Sequence, residues 1–207
     1  MIILAKKGFL ALIIATIIML SISGYLVFFG ESVTVYNDGE NITVTTVVSP
    51  FSGINTNKLN NEIKECTFQV MNNPNSDAKS LTESIQRICS SYGLNHVNVK
   101  IDSPLGLNKI PVLFHVNGTS MYPTINHGQT VLLEKTKNIN VGDIVVAKTP
   151  QFGNIIKRVS EINGNKVLLV SDNKDIKYEV INGTTYQTQG ISIWVTIDDI
   201  YGVVVKY

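Results

Sequence analysis

The stretch VNGTSMYPTINHG, Val116 to Gly128, packs Gly118, Ser120, Met121, Pro123, Thr124 and Gly128 into one loop. A plain turn needs only one or two such residues; a serine held up for chemistry would explain the rest, and that idea demands a base elsewhere in the chain. A serine hydroxyl is a weak nucleophile until a base takes its proton. The chain has three histidines, His96, His115 and His127. His127 follows the serine beyond a Pro-containing turn, and His115 sits in the strand-like run before the loop. Neither has an acidic partner at a telling spacing, so both read first as ordinary surface or strand residues.

A second candidate base lies in GNIIKRVSEI, Gly153 to Ile162. Strand alternation puts Ile155, Lys157 and Val159 on one face and Ile156 and Arg158 on the other. Lys157 is then flanked on its own face by two β-branched apolar residues. A free lysine titrates near about 10.4, and holding it neutral at pH 7 costs roughly 4.6 kcal/mol. Burial supplies such a shift, because a low-dielectric surrounding disfavours the ammonium. Taken alone, Lys157 reads first as an ordinary strand lysine with its ammonium in solvent.

The elements that must position these residues are short. From Pro111 on, the runs PVLFHV, TVLLEK, DIVVAK, NIIKRV, KVLLV, SIWVTI and IYGVVVKY are separated by Gly, Asn and Asp, the texture of a compact antiparallel β domain over 111–207. Before it, SVTVYNDGENITVTTVV reads as a β-hairpin with a tight Asp-Gly turn. Two helices follow. The first carries Leu59, Ile63, Cys66 and Val70, and the second opens with a Ser80/Glu83 capping box and stops at Gly93. Asn95 to Asp102 reads as one more strand. The expected fold class is mostly β, with an N-terminal transmembrane helix and a small α+β accessory region over 31–110, its boundary in SPLGLNK.

From Gly8 to Gly30 the sequence has 23 residues without a charge, long enough at about 1.5 Å per residue to cross about 30 Å of hydrocarbon. This reads as a retained anchor over 8–30 after a cytoplasmic 1–7. Lys6 and Lys7 precede it, which puts everything beyond Gly30 outside the cell membrane. A cleaved signal would have a shorter apolar core. KKGF at Lys6 to Phe9 resembles the start of pilin-like subunits, but Ile13 stands where those carry Glu. The formal net charge of +1 gives no case for nucleic acid. No Cys/His cluster proposes a metal, and no cofactor is expected. An oxidising exterior would permit a Cys66–Cys89 disulfide, and two small buried thiols are the alternative. Asn41, Asn117 and Asn182 open Asn-x-Thr sequons.

GTSMYPT (Gly118 to Thr124), GDIVV (Gly142 to Val146) and IKRV (Ile156 to Val159), in this order, resemble the type I signal peptidases and the wider serine–lysine protease clan that includes self-cleaving repressors. The resemblance covers about Leu113 to Val205. It implies Ser120 as nucleophile and Lys157 as neutral general base. It further implies Ser120 N–H, with Thr119, at the oxyanion, and Met121 and Pro123 shaping the pocket. Gly118 stands where many bacterial members add a serine hydroxyl. The family's last box survives only as Asp172 and Asn173 in VSDNKDIKYEV, with Ser171 replacing Gly, so Ser171, Asp172 or Ser192 is expected to orient Lys157. The implied activity is a membrane-anchored serine endopeptidase that cleaves signal peptides. Its partners would be signal-peptide-bearing preproteins, the lipid bilayer and the secretion machinery. The alternatives are a dedicated processing protease of the same clan and a non-catalytic pilin-like surface subunit.

Overall fold

The computed structural model describes residues 14–21, 30–175, 177–181, 184–188 and 190–207. All seven β-runs of the C-terminal half form strands of one sheet. They are β4 (Pro111–His115), β5 (Thr130–Glu134), β6 (Ile144–Thr149), β7 (Gly153–Asn163), β8 (Lys166–Val170), β11 (Ser192–Thr196) and β12 (Ile200–Lys206). Their order is β11-β8-β7-β6-β12-β5-β4, and every neighbouring pair is antiparallel. Two further strands, β9 (Lys177–Ile181) and β10 (Thr184–Thr188), make a separate hairpin that the sequence pattern did not announce.

Both faces of this sheet are covered. Val145, Ala147, Ile155, Val159, Val167 and Leu169 pack together on one face. On the other, Val112, Val131, Leu133, Val146 and Ile156 join residues of the accessory region. That region pairs β1 (Ser32–Asn37) antiparallel with β2 (Ile42–Val47) and parallel with β3 (Asn98–Asp102). Parallel pairing requires a long crossover. Helices α2 (Thr56–Asn72) and α3 (Ala78–Ser91) supply it.

The expected boundary between 102 and 111 separates two sheets but not two cores. Val33, Val35, Leu59, Ile63, Leu81 and Ile85 share one buried cluster with Leu133, Val146 and Tyr201 of the large sheet. Polar contacts reinforce the junction. The carbonyls that end α2 are taken from the large sheet, Met71 O by the Tyr201 hydroxyl and Asn73 O by the Lys135 ammonium. Lys135 lies 4.2 Å from the centre of the Tyr201 ring, and burial lowers its pKa to about 8.

Local expectations are corrected at two points, and the open question of the two cysteines is answered. Residues 38–41 form a four-residue loop between paired Asn37 and Ile42, not a two-residue turn. The Asp38 carboxylate ties it by accepting from Glu40 N–H at 2.9 Å and Asn41 N–H at 2.7 Å, bonds that also hold its pKa below the usual range. Helix α3 starts one turn before Ser80: Asp77 is the N-cap and Ser80 closes the capping box with it. Asp and Ser compete for the same cap, and Asp77 wins because Ala78 and Lys79 can then add a helical turn. Replacing Asp77 by Ala is expected to cost about 1 kcal/mol in urea unfolding. Cys66 and Cys89 are free thiols, Cys89 fully buried in the shared core.

No helix among the described residues is long and apolar enough to cross a membrane. Of the expected anchor, residues 14–21 are helical (α1) with Ile14, Ile17, Ile18, Met19 and Leu20 exposed. Apart from these and Gly30, segment 8–30 lies outside the described residues, as does Asn182 of the third sequon.

Candidate active site

The loop after β4 is fastened at both ends and in the middle. Val116 N–H donates to Gln129 O and Gly128 N–H to Val116 O, each at 2.9 Å, closing its base. Gly118, at φ +104, donates its N–H to His127 Nδ1 at 3.0 Å. Met121 is 1 % exposed and sinks into the core shared with the accessory region. It anchors the loop from below, so whatever Met121 does for the site it does by shaping the loop. Pro123, after a cis peptide bond, and Tyr122 stay exposed beside it, as does Thr119.

This fastening sets Ser120 over β7. Lys157 projects from β7 on the Ile155/Val159 face, 3 % exposed, and its Nζ donates to Ser120 Oγ at 2.7 Å and to Ile156 O at 2.9 Å. No carboxylate offsets the burial, and desolvation alone lowers the lysine pKa to about 8. At pH 7 roughly one molecule in ten then carries a neutral amine with a free lone pair. The Ser120 N–H makes no hydrogen bond among the described residues, which leaves a donor beside the hydroxyl.

The three sequence boxes meet here. Gly142 N–H donates to Val159 O and Val159 N–H to Asp143 O, each at 2.8 Å. Arg158, on the opposite face from Lys157, forks onto Asp172 with Nε to Oδ1 at 2.8 Å and Nη2 to Oδ2 at 2.6 Å, and its Nη1 reaches Gly142 O at 2.7 Å. The guanidinium holds the Asp172 carboxyl below the usual carboxylate range, with the Thr124 hydroxyl adding to the effect.

The residues expected to orient Lys157 do other things. Asp172 is taken by Arg158. Ser171 is buried, and its Oγ donates to Ile191 O at 3.3 Å. Ser192 is exposed on β11. The lysine is instead held by Ile156 O, a backbone contact that no side-chain motif reports. The sequence reading also passed over Asn173. Its N–H donates to Ser120 O and its Nδ2 to Thr119 O, each at 3.0 Å, so it clamps the nucleophile's loop from the β8 side. The Asp-Asn pair was visible in the sequence; the clamp depends on where β8 ends. His115 Nδ1 lies 2.6 Å from Thr130 Oγ1, and His127 caps Gly118, so both histidines serve the loop and its strand.

Residues 94–193 match the family described as Peptidase S24-like. The match runs from just before β3 to the start of β11 with Ser120 and Lys157 inside it, and supports a serine peptidase of the S24/S26 superfamily. It supports that clan as a whole and not type I signal peptidases in particular. No curated protein matches the chain at a significant level. No group of His, Cys, Asp and Glu among the described residues could hold a metal ion.

Proposed function

We propose that this chain is a membrane-anchored serine endopeptidase that removes signal peptides from exported preproteins, with Ser120 as nucleophile and Lys157 as general base. The observation that carries the reading is the 2.7 Å contact between a buried lysine amine and the hydroxyl of half-buried Ser120. The uncharged segment 8–30 would place the domain on the outer face of the cell membrane, where preproteins emerge from the secretion machinery.

In the reaction, neutral Lys157 takes the Ser120 proton as Oγ bonds to the carbonyl carbon of the substrate. The electron pair of the C=O moves onto oxygen, and the Ser120 N–H donates to the resulting oxyanion. When the tetrahedral species collapses, the C–N bond breaks and the Lys157 ammonium returns its proton to the leaving amine. Water then attacks the acyl ester, giving its proton to the same lysine; as the C–Oγ bond breaks, the lysine passes that proton to Ser120 Oγ and both groups return to their starting state. The Ile156 carbonyl keeps the amine aimed throughout. No cofactor enters these steps.

The experiment is cleavage of a panel of preproteins by the purified full-length chain in detergent, with the new termini read by mass spectrometry. Cuts after small-x-small sequences across several preproteins are the expected result. A folded chain inert on all of them would overturn the reading. Cleavage of one secreted protein alone would favour a dedicated processing protease. The accessory region fused into the peptidase core gives that second reading its support.

A further inference from the structure

The hairpin of the accessory region carries a motif with no part in the peptidase chemistry. Asn41, Ile42 and Thr43 form an Asn-x-Thr sequon, the acceptor pattern for N-linked sugar. It stands where the four-residue loop enters β2. Successive side chains of a strand point to opposite faces. Ile42 turns inward and packs against the core, so Asn41 and Thr43 share the outer side, and both are exposed. The Asn41 amide is tied loosely, its Nδ2 donating to Asp38 Oδ2 at 3.4 Å. That bond uses one of the two amide hydrogens and leaves the other replaceable.

A groove of about 480 Å³ opens beside it, between the hairpin and helix α2. The hairpin contributes Glu40, Asn41 and Thr43, and the helix Lys64, Glu65 and Phe68. Such a volume lies within the range of small-molecule sites. Helix α2 buries Leu59, Ile63, Thr67 and Val70, and Phe68 falls off that stripe, 57 % exposed. One exposed aromatic is ordinary on a protein surface. What distinguishes Phe68 is its company, an ammonium and two carboxylates in the groove that the acceptor amide itself borders. A sugar presents the matching chemistry. Its C–H face suits the electron-rich face of the ring, and its hydroxyls suit Lys64, Glu40 and Glu65.

We infer that Asn41 carries an N-linked glycan whose first sugar covers Phe68. The donor is a lipid-linked sugar phosphate at the outer membrane face, used by a membrane transferase. Asn41 Nδ2 bonds to the anomeric carbon of the sugar, and the bond from that carbon to the phosphate oxygen breaks. The phosphate leaves with the electron pair, and one amide proton passes to a base of the transferase. This rests on the outward topology proposed above and not on Ser120 or Lys157. Asn117 opens a second sequon and is exposed as well. Its loop is fastened, with Gly118 N–H on His127 Nδ1 and Thr119 O on Asn173 Nδ2, and a glycan there would stand beside Ser120. The active chain therefore leaves Asn117 bare.

The test begins with the full chain purified from the membranes of its own cells, its mass read intact and after digestion to peptides. The Asn41 peptide should carry a sugar mass and the Asn117 peptide none. Thr43→Val keeps the amide and suits the strand but removes the hydroxyl of the sequon, so the sugar should be lost. Thr43→Ser should retain it. Neither change should alter the rate of cleavage. Heating reads the contact with Phe68. The glycosylated chain should melt about 3 °C above Asn41→Gln, the scale of one aromatic contact in a chain of this length, and Phe68→Ala should abolish that gap. A bare Asn41 in a chain that protease added to intact cells can reach overturns the glycan with the topology standing. A bare Asn41 in a chain that protease reaches only after lysis overturns the topology as well. Sugar at Asn117 with Asn41 bare overturns the choice of site. A sugar on Asn41 whose loss leaves melting unchanged, or a gap that survives Phe68→Ala, overturns the covering of Phe68. None of these outcomes depends on whether a preprotein is cut, so the peptidase reading stands or fails separately.

Discussion

Replacing Lys157 by methionine is expected to lower kcat/KM by at least about 10³-fold, while leaving a folded and more stable protein. The loss follows from removing the group that takes the Ser120 proton, within the range that general bases contribute. Ser120→Ala should be as inactive, since nucleophile and base act as a unit. Before any substitution, the pH profile should already identify the base. With the Lys157 pKa lowered to about 8, kcat/KM should rise tenfold per pH unit up to about 8 and then level. The stability change has the opposite logic. Native Lys157 releases its proton near 8, whereas the unfolded chain holds it to about 10.4. Between those values the unfolded state binds more protons, so stability rises with pH there. Below 8 both states are protonated and the penalty of the buried ammonium is fully present, on the order of 3 kcal/mol. Lys157→Met removes that penalty and should raise the urea midpoint at pH 7. Buried Lys135, also lowered to about 8, adds a rise in the same window that Lys157→Met leaves in place. Cleavage at full rate by Lys157→Met would sink the dyad and bring His115 and His127 back as bases.

The seven strands of the large sheet were legible because each is a short β-branched run bounded by turn formers, and local pattern is enough for that. Ser120 and Lys157 were legible through three ordered boxes that resemble the serine–lysine clan; alternation alone placed the lysine among apolar neighbours without making it a base. What depended on long-range geometry was not. Met121 is expected from the resemblance to shape the loop and pocket, and that it does so fully buried depends on the core shared with the accessory region. Ser171 and Asp172 read as lysine-orienting because they are polar and near in sequence order. Arg158 claims Asp172, and a bare carbonyl, Ile156 O, does the orienting. Backbone groups are identical at every residue, so a sequence cannot announce which one will act. The shared core between residues 31–110 and the peptidase sheet was hidden likewise, because either half alone shows a plausible apolar face.

The clamp on the nucleophile's loop gives the second large effect, at a glycine remote from the reacting atoms in sequence. Gly190 faces the turn after β8, where an added Cβ would stand 2.4 Å from Asn173 O and 2.9 Å from Ser171 Cβ. The first of these is backbone and cannot swing aside, so Gly190→Ala must push Asn173. Asn173 holds Ser120 O and Thr119 O, so its displacement carries Ser120 off the Lys157 amine. A misplacement of about 1 Å can cost about 10²-fold in rate, and overpacking costs typically about 1–3 kcal/mol. The expected result is therefore a drop of about 10² in kcat with a modest fall in stability. Gly202→Ala is the control that separates the two. Its Cβ would meet Glu134 O at 2.5 Å, an equal steric insult, but on β12 against the end of β5 rather than against the clamp. It should lower stability by a similar amount and leave kcat within a few-fold. If Gly202→Ala lost activity as deeply as Gly190→Ala, the effect would belong to the sheet as a whole. If Gly190→Ala kept full kcat, Asn173 would have no part in aiming the serine.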